Sequence, residues 1–110
     1  MRIRYRQAAQ TDVTRHFRHY LVNRDLPQVA LRFKEAVRRT VHEISLHPLI
    51  APPYLARNPD FQNLRPWPVE GFEAIRIYFI VAGEAIRVVR VLHGKQDIGR
   101  ILEREKDYAE

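Results

Sequence analysis

The residues equipped to act on a substrate are few, and most are cations. His93 is able to change its charge near neutral pH, and Arg65, Arg76, Arg90 and Lys95 can hold negative charge where it develops. Metal-free cleavage of RNA calls for such a set: a base for the 2′-OH proton, cations for the phosphate, and an acid for the departing oxygen. His93 is the candidate for proton transfer, and it also has a structural reading. A histidine followed by Gly94 and then Asp97 is well placed to lock a turn by hydrogen bonds. Trp67, between Pro66 and Pro68, can stack on a base, anchor a protein interface, or simply cover the end of a sheet.

Other chemistries find less support. No Ser-His-Asp or paired-carboxylate arrangement stands out, and Gly83, Gly94 and Gly99 form no phosphate-cradling pattern. His16, His19 and His42 lack metal-ligand spacing and read as exposed helix residues. Neither cofactor nor metal is expected. The chain has no cysteine, so disulfides and thiolate metal sites are excluded, which suits a reducing, cytoplasmic setting. Met1 to Arg6 alternates basic and apolar residues with no apolar run behind it long enough for a signal peptide, and no stretch approaches membrane-spanning length. No membrane partner is expected.

Charge is distributed unevenly. The net charge is +6, and residues 1–55 carry ten Lys/Arg against four Asp/Glu while residues 56–110 carry nine against nine. A basic half attracts phosphate backbones or an acidic protein partner through salt-sensitive forces, or it is a solvated arginine-rich face.

These side chains need elements to position them. At 110 residues the chain makes one domain, residues 1–110, with one modest core. Arg2 to Arg6 has the period of a strand with one buried face. Thr11 can cap a first helix carrying Val13, Phe17, Tyr20 and Leu21 on one stripe, up to a polar turn at Asn23-Arg24-Asp25. Pro27 opens a second helix whose Phe33, Val37, Val41 and Ile44 recur every three or four residues, and His47-Pro48 ends it. A proline-rich loop follows to Asp60. The segment from Phe61 to Val69 reads as an edge strand, because Pro66 and Pro68 remove ladder donors. Two stronger strands, Phe72 to Val81 and Glu84 to Leu92, flank a tight turn at Ala82-Gly83, and Asp97 can cap a short last helix. The expected class is α+β: an N-terminal strand, a helical hairpin over one face of an antiparallel sheet, a three-stranded meander and a short C-terminal helix. Ile75, Ile77, Phe79 and Val81 should face the hairpin, leaving Arg76 and Tyr78 on an open face.

The run Leu-Arg-Pro-Trp-Pro-Val-Glu-Gly-Phe from Leu64, then Ile-Arg-Ile-Tyr-Phe-Ile, then Arg-Val-Leu-His-Gly-Lys-Gln-Asp-Ile from Arg90 to Ile98 resembles the signature of ParE-type toxins in the RelE/ParE superfamily. Ala9, Asp12-Val13, Tyr20, Ala30, Arg32-Phe33 and the Leu46-His47-Pro48 helix end fit it as well, so the resemblance spans nearly the whole chain. It implies a toxin of a type II toxin–antitoxin system, neutralised by a cognate antitoxin. ParE-type members bind and poison DNA gyrase, whereas RelE-type members cut messenger RNA on the ribosome. Fold alone does not choose between them. By resemblance, Arg76 falls where RelE-type toxins carry a phosphate-stabilising arginine, and Lys95 near a second basic position. Their catalytic tyrosine has no counterpart, and of their paired lysines only Arg57 remains in that region. The expected target-binding set is therefore Arg65, Trp67, Arg76, Tyr78, Arg90, His93 and Lys95, acting through gyrase binding. Ribonuclease action would draw on Arg76, His93, Lys95, Arg65 and Arg90. The antitoxin, through a disordered acidic segment that folds on binding, is expected to meet Arg15, Arg18, Arg38 and Arg39.

Overall fold

In the computed structural model, which describes residues 1–53 and 63–105, the elements follow the order β1 (Arg2–Tyr5), α1 (Gln7–Arg18), α2 (Pro27–Leu46), β2 (Arg65–Val69), β3 (Phe72–Ala82), β4 (Ala85–His93) and α3 (Ile98–Glu103). Arg57 and the expected start of the third-from-last strand at Phe61 lie outside the described residues. Helix α1 starts four residues before the expected cap: Arg6 takes the N-cap position and Thr11 lies inside the helix. The helix then widens into a π-helical turn at His19–Asn23 before Asp25, at φ 50°, reverses the chain. Aspartate tolerates that left-handed geometry better than most residues. Pro27 occupies the first turn of α2, where its missing N–H costs nothing.

The sheet order is β1-β4-β3-β2. The β2–β3 and β3–β4 pairs are antiparallel, but β1 runs parallel to β4, from Arg2 opposite Ala85 to Tyr5 opposite Val88. The expectation of a wholly antiparallel sheet is corrected here, because the helical hairpin carries the chain back over the sheet before the meander begins. The β3–β4 loop is Gly83-Glu84, one residue later than expected, since Ala82 pairs with Ala85. Gly83 adopts φ 60° at the first loop position, which glycine does without strain.

Two apolar layers form. Under the hairpin, Phe33, Val37, Val41 and Ile44 pack on Ile75, Ile77, Phe79, Ile86, Val88 and Val91. Val13, Tyr20 and Val81 join from the margin, while Phe17 is only half-buried and Leu21 is exposed. An edge-to-face group of Phe33 with His16 and Phe72, extended by Tyr20, fills the hairpin end. The opposite face is not open. Ile98 and Leu102 of α3, with Ile101, cover Leu64, Tyr78, Ile80, Val89 and Leu92, so Tyr78 is buried rather than displayed. Once the strands place a second apolar row on that face, burying it under a short amphipathic helix is the stable outcome.

A bulge in β4 makes both layers possible. The pairing steps from Tyr78–Arg90 to Phe79–Val88, which leaves Val89 without a direct partner. Strict alternation would put Arg90 on the same face as Ile86 and Val88; the extra residue shifts the phase so that Val91 takes the core position instead.

Candidate functional site

Strand β1 accompanies β4 only as far as Val88, after which the chain turns into α1. The outer edge of β4 beyond that point would present unpaired backbone groups to solvent. Asp12 and His16, one helical turn apart and so on one face of α1, close it. Asp12 Oδ2 accepts the Val91 N–H at 2.9 Å, and His16 Nε2 donates to the Val91 carbonyl at 3.0 Å. A carbonyl only accepts, so the neutral His16 ring carries its proton on Nε2. Burial pushes the His16 pKa below its ordinary value, against the pull of the carbonyl hydrogen bond and Asp12.

Asp12 is also the centre of an ion network. Its side chain is fully buried, and Arg90 grips it with a planar fork, Nε at 2.7 Å and Nη2 at 2.8 Å, while Arg15 Nη2 sits 2.7 Å away. The third arm of Arg90 reaches Glu105 at 2.6 Å, and Glu105 binds Arg6 at 2.7 Å. The hydrogen bonds that Arg90 donates to Asp12 raise the Arg90 pKa. Neither Asp12 nor Glu105 stands out as functional in the sequence. The available signals were the polar pair Asp12 and His16 at i, i+4 in an amphipathic helix and the place of Asp12-Val13 in the ParE-type resemblance.

The expected site residues scatter. Arg90 is tied to two carboxylates with only 11% of its side chain exposed, so it is not a free cation. Tyr78 is buried under α3. Arg65 donates to the Ala51 carbonyl, and Trp67 packs against the core under the hairpin. Arg76 is exposed beside Gly94, where a Cβ would stand 3.4 Å from the Ala74 carbonyl and 3.8 Å from Arg76 Nε. His93 closes its own turn: its N–H donates to the Gln96 side chain at 2.9 Å, its carbonyl accepts from the Gln96 N–H, and its Nδ1 accepts from the Lys95 N–H at 3.2 Å. Lys95 is exposed. His16 is half-buried, unlike His19 and His42, which are exposed as expected.

The four arginines expected to meet one partner segment line separate grooves. Arg38 and Tyr5 line two adjoining grooves, one between the helices at Gln10, Val13, Lys34 and Val37, the other beside the outer edge of β1 at Ile3, Glu35, Val41 and Arg39. Arg15 and Arg18 lie in a third groove of about 800 Å³ on the other side of α1, with His16, His19 and His93. Among the described residues no group of histidines and acids could hold a metal ion, and no helix is long and apolar enough to cross a membrane.

A family model described as the ParE toxin of the type II toxin–antitoxin system parDE matches residues 3–98. Among solved structures, a chain described as a chromosomal ParDE toxin–antitoxin system from P. aeruginosa is similar at 19% identity and a TM-score of 0.68, covering 84% of this chain and 95% of that one. No curated protein matches. The likeness in structure carries the fold, and the family match over most of its length places this chain in the ParE toxin family of type II toxin–antitoxin systems.

Proposed function

We propose that this ParE-family toxin acts by binding DNA gyrase rather than by cutting RNA. The observation that carries the reading is the fate of the cations and His93. Arg90 is committed to Asp12 and Glu105, Arg65 to the Ala51 carbonyl, and His93 Nδ1 to its own turn. A ribonuclease needs those groups aimed together at one phosphate with a proton donor beside them. Trp67, Arg76 and Lys95 remain as target-facing candidates around one end of the sheet, while Tyr78 and Arg90 leave the set.

The cognate antitoxin is the expected partner of any member of this family, and the helix-hairpin groove suits it. Val13, Val37, Val41, Tyr5 and Ile3 along it can take an apolar stripe, and Lys34, Arg39 and Arg38, the last 3.8 Å from Glu35, complement acidic residues. The free edge of β1 has no proline, whereas the β2 edge carries Pro66 and Pro68, so an added strand fits beside β1. Purified toxin assayed in parallel against gyrase supercoiling and against translating ribosomes tests the target. Inhibition of supercoiling with intact messenger RNA is the expected result; codon-positioned cuts with supercoiling untouched overturn it.

A further inference from the structure

The groove on the far side of α1 differs in chemistry from the antitoxin groove. Arg15 and Arg18 supply positive charge, and His16, His19, His93, Thr14 and Asn23 line it with polar groups. No carboxylate lines it among the described residues. The nearest acid by sequence, Asp12, is fully buried and has both oxygens occupied by Arg15, Arg90 and the Val91 N–H. Arg15 keeps half its side chain exposed beyond that bond, and no carboxylate among the described residues pairs with Arg18.

His93 and His19 each keep an Nε2 donor. His93 Nδ1 accepts the Lys95 N–H, and His19 Nδ1 lies 3.5 Å from the Asn23 amide nitrogen, which can only donate. An Nδ1 used as an acceptor puts the proton of the neutral ring on Nε2, leaving an N–H to offer. His16, with Nε2 spent on Val91, forms the wall. Val22 is the one large apolar side chain lining the groove, and the carbons of the arginine, histidine and threonine side chains supply the rest of its apolar surface.

We propose that this groove binds the phosphodiester backbone of double-stranded DNA. Arginine, histidine, threonine and asparagine donors on an open surface that no carboxylate lines among the described residues are the contacts that position proteins on phosphates without reading bases. The choice of DNA over RNA rests on the gyrase reading, because duplex DNA is the substrate of gyrase. The phosphate chemistry itself does not depend on that reading.

The test is fluorescence anisotropy of the full-length protein with short labelled DNA duplexes of several sequences and an RNA of equal length, without gyrase and over a salt series. Arg18→Ala with His19→Ala should weaken duplex binding by roughly tenfold, equally for all sequences, and lower the slope of log affinity against log salt by about one. Arg18→Lys should retain most of the binding. Arg38→Ala with Arg39→Ala, which removes more charge, should leave the affinity within about twofold. Equal loss from both pairs would reduce the effect to net charge and overturn the proposal, as would absence of duplex binding or stronger competition by an acidic peptide. Preference for RNA would overturn the DNA assignment. A supercoiling assay on the same samples reports on gyrase independently, so failure of either idea is visible alone.

Discussion

Helix α1 separates two grooves that share a wall and little else. On one side Gln10 and Val13 join Val37, Tyr5 and Ile3 in a channel that Lys34, Arg38 and Arg39 also line. On the other, Arg15, Arg18 and His19 join His93 in a groove that no carboxylate lines among the described residues, whereas Glu35 lines the first. The contrast follows from a helix with more than one non-core stripe: residues of one stripe meet the neighbouring helix, and those of another meet the end of β4. Positive charge alone does not define a surface here. What sits under the charge decides what the surface can hold.

The comparison depends on α1 being fixed, and Asp12 fixes it. Replacing Asp12 by alanine leaves a buried Arg90 and the Val91 N–H without their acceptor, and should cost about 3–5 kcal/mol in urea unfolding. Arg15→Ala, removing a half-exposed member of the same network, should cost less than about 1 kcal/mol. Equal effects would mean that the network is not centred on Asp12. Phe33, fully buried among His16, Tyr20 and Phe72, anchors α2 on the opposite side. Phe33→Ala should cost a similar 3–5 kcal/mol, roughly, and a loss below about half a unit would contradict its burial.

Charge reversal separates the grooves. Arg38→Glu with Arg39→Glu should slow antitoxin association on the order of tenfold at low salt and remove its salt dependence. Arg15→Glu with Arg18→Glu should change that rate much less. Stopped-flow measurements giving the same slowing for both pairs would merge the two grooves into one electrostatic surface.

The smallest expected effect is a pH dependence. Burial lowers the folded-state pKa of His16, so the unfolded chain binds its proton more readily. Stability from this group is complete above the ordinary histidine pKa of about 6.5 and declines as pH falls below it. Urea midpoints in the wild type should fall between neutral and mildly acidic pH, and the fall should shrink in His16→Gln. An unchanged slope in that variant would show that other groups govern acid sensitivity.

Much of the fold was legible because it rests on periodicity. The α2 stripe, Pro27, the β3 alternation and the Asp97 cap are local patterns, each with one stable way to be buried or satisfied. The family resemblance was legible from residues 64–98 for the same reason: these residues form a continuous strand–strand–turn unit. The site was far less so. Tyr78 was read from strand alternation and Arg90 from its charge, but a six-residue helix covers the one and a bulge turns the other towards Asp12 and Glu105.

The sequence by itself determined the element types, the apolar faces and the basic excess, because these follow from side-chain chemistry and spacing along the chain. Only the tertiary structure decided that β1 lies parallel to β4 and stops at Val88, leaving an edge that Asp12 and His16 must close. It also decided that the arginines divide between two grooves. Those outcomes depend on contacts between residues some 75–79 positions apart, such as His16 and Asp12 with Val91, and no local pattern encodes them.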